Sequence, residues 1–228
     1  MGNTYVIYYG WLTDDESGEP NGEARRIAAA RTPLLIAHLR AAPPAVHANI
    51  TPQVLALMRG AGTQVFGYVA TDFGRAELAR VRSDIAESIA AGVDGIFLDE
   101  TDSLTGSAKY GYYTMLAHAV RQHGKHVILN AGVSKCGEKI MEVADRLMVE
   151  HQWRDLPLHS AWMAKYAPGR FMGVSSNEED AMGYRVDLER AIRDTREAWR
   201  LGIGWHCATD RYIRLADWFE PYVEALRC

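Results

Sequence analysis

Eight short apolar runs, each followed by a segment with apolar residues at helical spacing, set the tightest limit on what this chain can fold into. The runs cover residues 5–11, 34–39, 65–70, 95–99, 127–131, 147–150, 171–175 and 203–208. Several are apolar on consecutive positions, the pattern of parallel strands covered on both faces. Between them, residues 76–91 place Leu78, Val81, Ile85 and Ile89 on one helical stripe, and 110–123 and 184–201 behave in the same way. Thr51-Pro52 reads as an N-cap followed by a first-turn proline, and Gly60, Gly62, Gly92 and Gly202 fall where helices are expected to stop. Strands alternating with helices predict a parallel α/β fold. No GxGxxG or Walker-type glycine loop follows the first run, so a doubly wound nucleotide fold lacks its signature. Eight βα units fit a single (β/α)8 TIM barrel spanning 1–228, with abbreviated helices after Ala131 and Glu150.

Composition narrows the function classes. Of the 228 residues, 48% are hydrophobic and 24% charged, enough for an ordinary globular core. A net charge of −4 with acids and bases interspersed argues against a nucleic-acid partner, and no apolar window is long enough for a membrane span. The N-terminus lacks a basic leader and a cleavage site, which predicts a cytoplasmic protein if Met1 is the native start and a secreted or surface protein if a leader has been removed. Three widely spaced cysteines form neither a CxxC pair nor a disulfide framework, so reduced thiols are expected.

In a barrel of this kind the chemistry sits at the C-terminal ends of the strands. Read in turn, those ends offer Tyr8, Tyr9 and Trp11; His38 with Asn49 in the loop beyond; Tyr68 and Asp72; Asp99 and Glu100; Asn130; Glu150, His151 and Trp153; Ser175, Ser176 and Asn177; and His206 with Asp210. Two carboxylates across a cleft suit glycosidic bond cleavage, where one protonates the leaving oxygen and the other attacks or stabilises an oxocarbenium-like centre. Aromatic faces stack on sugar rings, and Asn and His bond the hydroxyls. Asp99 and Glu150 end strands two apart and form the expected pair. Glu100, adjacent to Asp99, points the other way unless the strand has already bent. Asp72 and Asp102 precede helical sequence and read as caps. His38, His151 and His206 with Asp99 or Asp210 compose a rival zinc site, but HExxH and paired-histidine spacing are both missing.

The runs DGIFLDE (94–100), PQVLALMRGAGTQVFGYVAT (52–71) and VILNAG (127–132) resemble the spherulin-4-like proteins, barrels grouped with microbial exopolysaccharide hydrolases. A more distant resemblance is to the endo-α-1,4-polygalactosaminidases, whose fourth strand also ends in a DG-hydrophobic-LD motif. The resemblance implies a (β/α)8 glycoside hydrolase acting on amino-sugar polymers such as galactosaminogalactan, with strand-end carboxylates and without metal or other cofactor. Position by position, Asp99 matches the strand-four aspartate, Glu100 the following acid, Asn130 the polar end of strand five and Glu150 the strand-six glutamate. The expected partner is an oligo- or polysaccharide held by Tyr8, His38, Asn49, Tyr68, Asn130, His151, Trp153, His206 and Asp210. A catalytically silent carbohydrate-binding or structural barrel is the alternative from a different class, and a metal-dependent hydrolase the third.

Overall fold

The first strand is broken in two, and the break is what closes the sheet. In the computed structural model, which describes residues 2–14, 17–39, 48–106, 108–150, 152–177 and 185–227, β1 (Asn3–Thr4) and β2 (Val6–Tyr8) are separated only by Tyr5. β1 pairs with the last strand and β2 with the third, so one stretch of chain joins both edges of the sheet. The others are β3 (Leu34–Ala37), β4 (Gln64–Ala70), β5 (Gly95–Asp99), β6 (His126–Asn130), β7 (Arg146–Val149), β8 (Phe171–Ser176) and β9 (Trp205–Thr209). Every pairing is parallel and each strand from β3 to β9 lies beside its sequence neighbour, which is the (β/α)8 barrel expected from the eight runs.

Around it stand α1 (Gly22–Ala29), α2 (Pro52–Ala61), α3 (Leu78–Ala91), α4 (Tyr110–Arg121), α5 (Ile140–Val143), α6 (Leu156–His159), α7 (Leu188–Arg200) and α8 (Phe219–Leu226). The Thr51 hydroxyl accepts from Val54 N–H, and Gly62 ends α2 in the left-handed region, as the cap reading requires; Gly60 lies inside the helix instead. Asp187 caps α7, so that helix starts later than its apolar pattern; Tyr184 lies outside the described residues. α5 and α6 have four residues each, the abbreviated connections expected after β6 and β7. Among the described residues no helix is long and apolar enough to cross a membrane.

Strand alternation divides the core. Outward residues such as Val6, Leu35, Ile96, Leu98, Val127 and Leu129 pack against the helices. Inward ones, among them Tyr5, Ile7, Ile36, Phe66, Phe97, Ile128, Met148 and Val174, fill the barrel. Gly95 belongs to this filling: a Cβ there would stand 2.2 Å from the Phe66 ring. Carried one step past the apolar interior, the same alternation brings polar side chains to the C-terminal mouth.

Candidate functional site

Asp99 follows inward Phe97 by two residues, Asn130 follows Ile128, and Glu150 follows Met148, so three neighbouring strands aim these side chains at one point. Their contact is direct. Asn130 Nδ2 donates to Asp99 Oδ1 at 2.7 Å and to Glu150 Oε2 at 3.1 Å. Since one nitrogen serves both, the two accepting oxygens are within about 6 Å of each other. The amide cannot turn over freely, because its own oxygen accepts Gly132 N–H at 3.0 Å. Asn130 is buried, so these bonds are shielded from water.

Tyrosines complete the surroundings of each carboxylate. Tyr212 donates to Glu150 Oε1 at 2.8 Å, and the Tyr68 hydroxyl bonds to Asp99. Tyr9 packs edge-on to His38 and Tyr68 and tilted against Tyr212, with ring centroids 4.8, 5.3 and 5.4 Å away. Burial, and after it the charge of Asp99 or Glu150, pushes the hydroxyls of Tyr9, Tyr68 and Tyr212 well above the usual tyrosine range. They therefore remain protonated donors. Burial also lowers His38, against the opposing pull of Asp99, so this ring is a neutral partner at neutral pH. A cavity of about 330 Å³ shares His38 and Tyr68 with the site and is bounded elsewhere by Arg80, Asp84, Glu87 and Ser88 of α3.

Glu100 sits on the rim with φ +50, exposed where Asp99 is half-buried. The strand has bent here, the one condition under which Glu100 was not expected simply to point the other way from Asp99. The loop after β4 is tied to this bend. Thr71 N–H donates to the Asp99 carbonyl at 3.0 Å, its hydroxyl lies 2.9 Å from the Glu100 carbonyl, and Phe73 N–H donates to the same carbonyl at 2.6 Å. Asp102 accepts Leu104 N–H in a turn, and Asp72 pairs with Arg75 at 2.5 Å, local roles that leave both out of the pair.

Four expected residues are placed elsewhere. Tyr8 projects outward into the helix layer, and Tyr9 takes the inward position assigned to it. Asn49 is buried behind the rim, accepting from Leu12 N–H and donating to the Gly10 and His38 carbonyls, so it fastens loops together. Trp153 packs in the outer layer, edge-on to His206 at 5.0 Å, with the Arg154 guanidinium over its ring. His206 faces the helices, its ring nitrogens 2.9 Å from Thr195 Oγ1 and 3.3 Å from Ser175 Oγ. Asp210 directly follows β9, at the strand end where it was expected, and pairs with Arg211 at 3.3 Å. His151 lies outside the described residues. Tyr9 was expected at the end of the first strand but not among the sugar-holding residues, and Tyr212 was not expected at all. Tyr9 has a sequence signal, being two residues beyond inward Ile7, whereas Tyr212 comes from an irregular loop and has none.

No group of three His, Cys, Asp or Glu able to hold a metal occurs among the described residues. Of the histidines in the rival zinc set, His206 has both ring nitrogens engaged by hydroxyls, which does not fit a ligand. Cys136 and Cys207 are buried outside any disulfide, and burial pushes both thiols up to about 12.

Over residues 40–226 the chain matches the model of Spherulin4, spherulation-specific family 4. No curated protein sequence matches it. Among solved structures it is similar to Aspergillus clavatus Sph3 in complex with GalNAc, with a TM-score of 0.70 at 15% identity over 98% of this chain and 96% of that one. It is also similar to the PgaB (BpsB) glycoside hydrolase domain from Bordetella bronchiseptica, with a TM-score of 0.68 at 12% identity over 99% and 98%. A chitinase from Chromobacterium violaceum shares the fold with a TM-score of 0.61 at 10% identity, over 99% of this chain and 98% of that one. At these identities the likeness is one of fold.

Proposed function

The chain belongs to spherulation-specific family 4, and from that premise we propose that it is a glycoside hydrolase cleaving an amino-sugar polymer, with Asp99 and Glu150 as the working carboxylates. One observation carries the reading: a single buried amide, Asn130, holds both acids at the barrel mouth. Retaining glycosidases set their carboxyls about 5–5.5 Å apart and inverting ones about 6.5–9.5 Å apart. A pair bridged by one nitrogen suits the closer spacing and so a double displacement. In such a reaction one carboxylate attacks the anomeric carbon while the other, as a carboxylic acid, protonates the departing oxygen. The second then takes a proton from water as the water oxygen bonds to the anomeric carbon, and the bond from that carbon to the first carboxylate breaks, which frees the sugar and restores both groups.

Each carboxylate receives Asn130 and one tyrosine, donors arranged before substrate arrives. Such preorganised donors stabilise charge as it develops. Tyr9, Tyr68 and His38 offer ring faces and hydrogen-bonding edges to a sugar, and Glu100 on the exposed rim is placed to assist at the hydroxyls or the amino substituent. The sugar class rests on the family and on the GalNAc complex of Sph3. The test is reducing-end release from a polymer containing N-acetylgalactosamine, by the parent chain and by Asp99→Asn. Release by the parent and none by the variant supports the reading; binding of the polymer without cleavage by either would favour a catalytically silent carbohydrate-binding barrel.

A further inference from the structure

The turn after β4 has an unusual backbone conformation. Asp72 and Phe73 are consecutive non-glycine residues in the left-handed region, with φ of +47 and +53, and Glu100 across from them has φ +50. Each such residue is strained and persists only where its surroundings over-determine it. Here they do. Phe73 N–H is bonded to the Glu100 carbonyl, and Thr71 bonds to the carbonyls of both Asp99 and Glu100. The strained turn is therefore fastened to the backbone of the carboxylate strand.

What this geometry achieves is to hold an aromatic ring out into solvent. Phe73 is 50% exposed, an arrangement that gains little burial for a phenylalanine. The ring is nonetheless supported: the Arg75 guanidinium lies over it at 5.5 Å and is itself held by Asp72 at 2.5 Å. An exposed, braced aromatic beside a catalytic mouth offers a flat apolar surface, and the complementary ligand is the C–H face of a pyranose ring. Its place next to Glu100 is one step along the rim from the Asp99–Glu150 pair.

We propose that Phe73 is a stacking platform for a second sugar residue of the substrate, adjacent to the one held at the carboxylates, so that the protein selects chains over single sugars. This rests on the glycosidase reading above and deepens it. Glycine at position 73 removes the ring and also relieves the backbone, so Phe73→Gly is expected to melt no lower than the parent. Binding is measured by calorimetry in an Asp99→Asn background, with N-acetylgalactosamine and with its α-1,4-linked hexasaccharide as probes. The expected result is a hexasaccharide affinity roughly tenfold weaker with Phe73→Gly, the equivalent of about 1.4 kcal/mol, an unchanged monosaccharide affinity, and hexasaccharide binding retained by Phe73→Trp. Equal hexasaccharide affinity with and without the ring would overturn the platform and leave the glycosidase reading standing. An equal loss for both probes would also overturn it, since that is what a merely structural role gives. Failure of the Asp99→Asn protein to bind either probe, with no cleavage by the parent chain, would overturn both.

Discussion

Exchanging Asn130 for aspartate replaces one side-chain nitrogen by oxygen and changes almost nothing else in size or shape. That nitrogen is the shared donor to Asp99 at 2.7 Å and Glu150 at 3.1 Å. Two hydrogen bonds to charged acceptors disappear, each worth about 1.5–3 kcal/mol. In their place a third carboxyl stands within hydrogen-bonding distance of the other two. Two unit charges 3 Å apart repel by about 5 kcal/mol at an effective dielectric near 20. The three groups therefore do not all ionise, and the cluster retains a proton whose apparent pKa belongs to all of them. We expect reducing-end release at neutral pH to fall by about 10²–10³-fold, the scale on which one preorganised donor is missed. The sign of the pH effect is fixed. A carboxyl at 130 has its folded pKa raised above the unfolded value, so its destabilisation is absent below about pH 4 and grows as pH rises toward the folded pKa. Protonated, it also regains one donor. Relative to the parent, both melting temperature and rate are thus expected to recover as pH is lowered from about 8 to 4. Asn130→Asp with the parental rate and the parental pH profile would refute the bridging role.

The remaining expectations are simpler. Asp99→Asn is expected to abolish hydrolysis while circular dichroism and melting stay parental; full activity would remove Asp99 from the mechanism. Tyr212→Phe deletes the 2.8 Å bond to Glu150 and is expected to lower kcat by about tenfold or more, checked against a melting temperature that moves little. Burial lowers the His206 imidazole from 6.5 to about 3, so the unfolded chain binds more protons than the folded one between those values. Stability therefore falls as pH drops through this window, by on the order of 4–5 kcal/mol in full; urea titrations of His206→Gln are expected to show a flatter acid slope than the parent, and an equal slope would sink the argument. Gly95→Ala drives a methyl to 2.2 Å from the Phe66 ring and is expected to cost about 1–3 kcal/mol in overpacking, read as a lower melting temperature.

The barrel was legible because consecutive apolar positions and the helical stripes between them are properties of the local chain. Asp99 and Glu150 were legible for a related reason, since an acid directly after a buried run marks where the run meets solvent. What such a run conceals is its own parity. Tyr8 and Tyr9 are both aromatic and both belong to the first apolar run, yet Tyr8 lies in the helix layer and Tyr9 packs edge-on to His38 and Tyr68. On a half-solvated sheet the polar face would have separated the two. On a strand buried on both faces it cannot. His206 was misplaced by the same one-residue ambiguity, lying between inward Trp205 and Cys207.

A single inward residue per strand resolves that ambiguity for the whole rim. Counting onward in twos from Ile7, Ile36, Phe66, Phe97, Ile128, Met148 and Val174 reaches Tyr9, His38, Tyr68, Asp99, Asn130, Glu150 and Ser176. Those seven positions hold the bridged carboxylates, their amide and most of the aromatic wall, and they exclude Tyr8 without any knowledge of contacts. The rule stops where regular structure stops. Glu100 leaves the alternation because its backbone turns left-handed, and Trp153 because the chain has passed β7 and entered the outer layer. Tyr212 reaches Glu150 from a loop fixed by its own carbonyl bond to Tyr9 N–H at 2.6 Å. A donor supplied in this way depends on a contact 203 positions along the chain, and no periodicity encodes it.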